Sequence, residues 1–167
     1  MIMGIDPSLV GTGIICLRDD GEIERQQLIK TKPTTNHLDE LKRLIKIVNE
    51  IDYTGVDFVA MEGMAFMARN TTSLVQLSGL NYMIREKLYS LSIPFIIVAP
   101  MALKKFITGK GNAPKEFMLM EIYKRFGKEF RDNNLCDAYS LAKLGEAYIN
   151  KGDDMMVYQK EVINKLK

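Results

Sequence analysis

Residues Met1–Lys30 read MIMGIDPSLVGTGIICLRDDGEIERQQLIK, and this stretch decides the fold. MIMGID is a short apolar run. GTGIICLRDDGEIERQQLI is two further runs around Asp20-Gly21, a dipeptide that signals a hairpin turn. Three strands in succession predict an antiparallel meander. Working outward, Leu38, Leu41, Leu44, Ile45, Val48 and Ile51 recur at helical spacing behind Asn36, a good capping residue. VDFVAMEG (Val56–Gly63) reads as a buried strand. A long helix is expected from Thr71 or Thr72 through Leu91, ended by Pro94, and FIIVA (Phe95–Ala99) is another buried strand. The remainder reads as helices over about 101–107, from Pro114 to Phe126 and over about 134–149, with a last amphipathic piece beyond a break at 151–154. The later strands alternate with helices and should pair in parallel. The fold class is therefore α/β, a mixed five-stranded sheet flanked by helices on both faces. Residues 1–150 are expected to form one domain, and residues 151–167 a C-terminal tail or short helix.

Composition narrows the function. The chain has 167 residues, 47% of them hydrophobic, enough for one sizeable core. With 23 Lys+Arg against 21 Asp+Glu it carries no strongly basic coat, although a local basic patch remains open. No run of about 18 or more apolar residues is present, so no membrane association is expected. The first residues lack the pattern of a secretory signal. Cys16 and Cys136 each lie in an apolar run and read as core residues of a reducing cytoplasm. The single histidine, His37, argues against histidine-dependent nucleophiles and histidine-rich zinc sites. Chemistry is left to carboxylates, lysines and hydroxyls.

Three carboxylates stand out. Asp6 ends the first apolar run, Glu62 ends DFVAME, and Asp137 lies in the helix-like NNLCDAYSLAKLG with Leu141 and Leu144 along its stripe. A carboxylate in such surroundings is costly unless paired, hydrogen-bonded or holding a metal. Two strand ends and one late helix can meet at one edge of a sheet. Clustered oxygens without His or Cys suit Mg²⁺ or Mn²⁺, two of which could straddle a phosphodiester.

MGIDPSLVGTGI, VAMEGMAFMARNTTSLVQLSG, APMALKKFITGKGNAPKEFMLM and LCDAYSLAKLG, in this order over about residues 1–150, resemble the RuvC Holliday-junction resolvases, nearest the lactococcal-phage type. The resemblance implies a ribonuclease H-like fold, a homodimer, and Mg²⁺-dependent cleavage of branched DNA (Mn²⁺ being possible), in which two symmetric nicks resolve a four-way junction. It places the catalytic and metal-binding carboxylates on Asp6, Glu62 and Asp137. The family usually has a further Asp where this chain has Asn134, a neutral oxygen ligand, and Asp132 stands in reserve. Phe66 matches an aromatic that stacks near the junction centre, followed by Arg69 in the same loop. Lys104, Lys105 and Lys115 fall near two lysines that approach the DNA backbone, with Lys115 also suited to the charge developing at the scissile phosphate. Lys110 joins them in a segment, 101–131, that is net positive while the first hundred residues are net negative. The counterpart of the 72–91 helix contributes to the family's dimer interface.

Two other readings share these residues: a less selective nuclease of replication forks and flaps, and a junction-binding protein that does not cut, which the Asn at 134 keeps in play. A nucleotide-binding enzyme of the actin and sugar-kinase type would use Gly11 and Gly13 to cradle phosphate. That architecture needs two lobes, and this chain has room for one. The expected location is the cytoplasm, the host's if the source is viral.

Overall fold

The computed structural model describes residues 1–34, 36–64, 71–151 and 154–166, leaving aside the side chain of Thr71. Strands β1 (Ile2–Asp6), β2 (Gly11–Leu17) and β3 (Ile23–Lys30) are followed by α1 (His37–Glu50), β4 (Phe58–Glu62), α2 (Thr71–Ser90) and β5 (Phe95–Val98). Helices α3 (Pro100–Thr108), α4 (Lys115–Phe126), α5 (Asn133–Asn150) and α6 (Val157–Ile163) complete the chain. The sheet order is β3-β2-β1-β4-β5. The first three strands pair antiparallel, and β4 and β5 add in parallel, as the alternation with helices predicted.

Strand periodicity sorts side chains onto two faces. Met3, Ile5, Ile14, Cys16, Val59 and Met61 face α1 and α2, packing on Leu44, Ile47, Leu80, Ile84 and Leu88. Ile15, Leu17, Phe58, Ala60, Ile96 and Val98 face the C-terminal helices. Asp6 and Glu62 continue this second set. Both cysteines are free and buried.

α1 is capped as expected: the Asn36 side chain accepts a hydrogen bond from the Asp39 backbone at 2.8 Å. Its inward face is not the one the apolar spacing suggested. Leu38, Leu41 and Ile45 are exposed, whereas Glu40 and Arg43 are buried beside Leu44, Ile47 and Val48. Polar partners explain the exchange. Arg43 donates to Glu40, to the Thr31 hydroxyl and to the Leu9 carbonyl, and the Thr34 hydroxyl donates to Glu40. The buried pair ties α1 to the loop that follows Asp6.

α6 packs on α3. Val162 and Ile163 are buried in the core of that face, and Glu161 pairs with Lys105 at 2.6 Å. No helix among the described residues is long and apolar enough to cross a membrane.

Candidate active site

Asp6 and Glu62 sit at the carboxyl ends of neighbouring parallel strands. The last paired positions are Ile5 and Met61, so the two acids follow side by side and face the same way. Each of the two carboxyl groups perturbs the ionisation of the other.

The third acid is delivered by close packing. Gly13 is the cross-strand partner of Asp6, and α5 lies directly on it. A Cβ at Gly13 would overlap the Asn134 carbonyl, and one at Gly4 would overlap the Ala138 carbonyl. Only bare backbone lets the first turns of α5 settle onto β1 and β2, which brings Asp137 to the strand ends. Gly13 thus serves a helix where the nucleotide-binding reading would have given it a phosphate.

Lys115, the first residue of α4, reaches Asp137, with Nζ 3.2 Å from Oδ2. The electrostatics follow from burial and crowding. Burial raises the Asp6 carboxyl to about 9, helped by the negative charges of Glu62 and Asp137 and opposed by Lys115. Burial also raises Glu62, assisted by Asp137 and opposed by the Asp6 hydrogen bond, Lys115 and Lys104. Asp137 is raised by burial against the pull of Lys115 and Lys104. Partial burial works against the charged Lys115, but Asp137, Asp6 and Glu62 outweigh it and hold its ammonium above the ordinary range. Lys104, on α3, therefore belongs to the electrostatic neighbourhood of this group.

The remaining sequence candidates divide. Asn134 lies one turn before Asp137, and its side-chain amide nitrogen would lie 2.9 Å from a Cβ at Gly11, so the amide covers the start of β2. Asp132 is not brought to the group. It is the N-cap of α5, and its carboxylate accepts from the Asn134 backbone at 2.9 Å. Lys105, adjacent to Lys104, is held instead by Glu161 because successive helical residues point in different directions. Lys110 is exposed in the loop between α3 and α4. Phe66 and Arg69 lie outside the described residues.

Sequence reading missed Asn81. It is buried on α2, and its Nδ2 donates to the Glu62 carbonyl at 3.1 Å. The signal was a polar residue in the stripe formed by Leu77, Leu80, Ile84 and Leu88.

Among the described residues, no three His, Cys, Asp or Glu side chains stand ready-made around one ion position. Crowded carboxylates repel, and here Lys115 supplies the local positive charge. The donors are nevertheless those of a hard divalent cation: partly buried carboxylate oxygens of three acids, with Lys115 paired to one of them. The set fits such an ion.

A family model described as crossover junction endodeoxyribonuclease RuvC matches residues 2–143. A protein of that name from Porphyromonas gingivalis is 32% identical over 120 residues, covering 70% of this chain and 63% of the relative. One from a Sulfurovum species is 30% identical over 148 residues, covering 84% of this chain and 91% of the relative. The chain thus spans less than two thirds of the first relative and nearly all of the second. Among solved structures, Thermus thermophilus RuvC in complex with a Holliday junction substrate superposes with a TM-score of 0.66 at 20% identity, covering 84% of this chain and 89% of that one. The Fowlpox virus resolvase in complex with Holliday junction DNA superposes with a TM-score of 0.50 at 14% identity, covering 91% and 100%.

Proposed function

The chain belongs to the RuvC family of crossover junction endodeoxyribonucleases, and from that premise we propose that it binds branched DNA and resolves four-way junctions by paired nicks. The observation that carries this reading is the meeting of Asp6, Glu62 and Asp137 from two strand ends and a helix, with Lys115 against Asp137.

The family depends on a divalent metal ion, and we take Mg²⁺ as the natural ion here, with Mn²⁺ able to substitute. Asp6, Glu62 and Asp137 would hold it, with Asn134 as a weaker neutral ligand. The cation's contribution is Lewis acidity at the phosphodiester and acidification of water. The protein's own contribution is placement. Lys115 sets an ammonium beside the carboxylates, where charge develops on the scissile phosphate. Lys104 and Lys110 supply backbone contacts that position DNA without reading its sequence. Phe66 stacks on an unpaired base at the branch point, and Arg69 contacts phosphate.

Paired nicks need two active sites, hence a homodimer. The exposed Val75, Tyr82 and Tyr89 of α2 offer apolar surface to a second copy. Residues 1–150 form the nuclease unit, and α6 braces α3 and adds Val162 and Ile163 to its core. The site of action is the cytoplasm, the host's if the source is viral.

The test is to incubate the protein with labelled four-way junction, three-way fork and linear duplex, with and without Mg²⁺ or Mn²⁺. Symmetric nicks confined to the junction are expected. Cutting of all branched forms would replace the reading with a general branch nuclease. Tight binding without cutting in either metal would make the chain a junction-binding protein.

A further inference from the structure

α2 lies on the sheet face opposite the carboxylates, held by Leu80, Ile84 and Leu88, which are fully buried. Asn81 interrupts this apolar contact. Its Nδ2 donates to the Glu62 carbonyl, yet its Oδ1, equally buried, has no partner among the described residues. A buried acceptor without a donor weakens a fold, so packing alone does not account for an amide here.

The location of the single bond supplies a reason. β4 ends at Glu62, and the next peptide is fixed by the Gly63 N–H donating to Val98 at 2.8 Å. The carbonyl of this same peptide is the one Asn81 holds, so its plane is pinned from two sides. Rotation of that peptide would swing the Glu62 carboxylate relative to Asp6 on the neighbouring strand. We propose that Asn81 is a positioning residue, setting from behind the sheet the separation of the Asp6 and Glu62 carboxylates and with it the affinity for a divalent cation. This rests on the reading of those carboxylates as the metal site.

The experiment compares wild type with Asn81→Leu, a near-isostere that removes donor and orphaned acceptor together. Asn81→Ala, which adds no bulk, carries the test if the leucine does not fold. The first readout is the melting temperature of DNA-free protein titrated with Mn²⁺ alone. In EDTA Asn81→Leu should melt close to wild type. The Mn²⁺ concentration giving half the stabilisation should rise about tenfold, as is common when a group behind a metal ligand is lost. Junction affinity in EDTA should not change, while single-turnover cutting in Mg²⁺ falls. A wild-type half-point in the variant overturns the proposal, even if melting in EDTA drops, because Asn81 is then only a core residue. Wild type that gains stability from Mn²⁺ but cuts no branched DNA would sink the proposed function and leave the Asn81 comparison readable. Wild type with no Mn²⁺ response would sink both.

Discussion

The two faces of the sheet bury charge to opposite ends. On the α1 side, Arg43 and Glu40 are as buried as Asp6, but the pair is closed: guanidinium, carboxylate, two threonine hydroxyls and the Leu9 carbonyl satisfy one another. On the α5 side, burial pushes up three carboxylates that share Lys115, with Lys104 acting on Glu62 and Asp137 as well. Closed charge fastens a loop. Charge left in excess marks a place where a cation and a phosphate can be accommodated.

The contrast can be broken most severely at Asp6. Asp6→Asn should slow junction cutting by about 10³-fold or more, with binding retained in a gel-shift assay. A variant that still cuts would remove Asp6 from the chemistry. On the other face, Arg43→Met leaves Glu40 buried without its partner and should cost about 3–5 kcal/mol in urea unfolding, with a far smaller effect on cutting by the folded fraction. If the two variants lose activity equally, the division between structural and chemical charge is wrong.

Gly13→Ala tests how the open face is assembled. Overlap with the Asn134 carbonyl should cost about 1–3 kcal/mol and reduce cutting by displacing Asp137, so an unaffected variant would mean that α5 can shift freely. A finer comparison lies within α3. Lys104→Ala should weaken junction binding and reduce its salt slope by about 0.9, whereas Lys105→Ala should leave the slope alone; equal slopes would erase the distinction between these neighbours.

The smallest effect is in pH. The folded carboxyls of Asp6, Glu62 and Asp137 lie above their usual range, so their contribution to stability is full below about pH 4 and is lost as pH rises through the folded values. In EDTA the protein should melt higher at pH 5 than at pH 8, and Asp6→Asn should flatten that dependence. An equally steep profile in the variant would assign it elsewhere.

Much was legible in the chain alone. Apolar runs around Asp20-Gly21, alternation of later strands with helices, and the Asn36 cap are local signals, and local signals survive without knowledge of the fold. The three acids were visible for a related reason: a carboxylate inside an apolar run is anomalous wherever the run ends up.

Which polar groups would find partners was not legible. Leu38, Leu41 and Ile45 had the spacing of a core face, but Arg43 could reach Thr31 and Leu9 only once β3 and the β1–β2 loop were placed. Lys104 and Lys105 are equivalent on paper, and α6 separates them by presenting Glu161 to one. Asp132 stood only as a reserve ligand, and its use as a cap became visible once α5 began beside it.

The sequence by itself determined the strands, the helices and the chemical types available at the site, because these depend on neighbours along the chain. The tertiary structure alone decided that Gly4 and Gly13 admit α5, that Asp137 thereby meets Asp6 and Glu62, and that Asn81 stands behind them. Those relations depend on backbone separations of a few ångströms between segments from 19 to more than a hundred residues apart, which spacing along the chain does not encode.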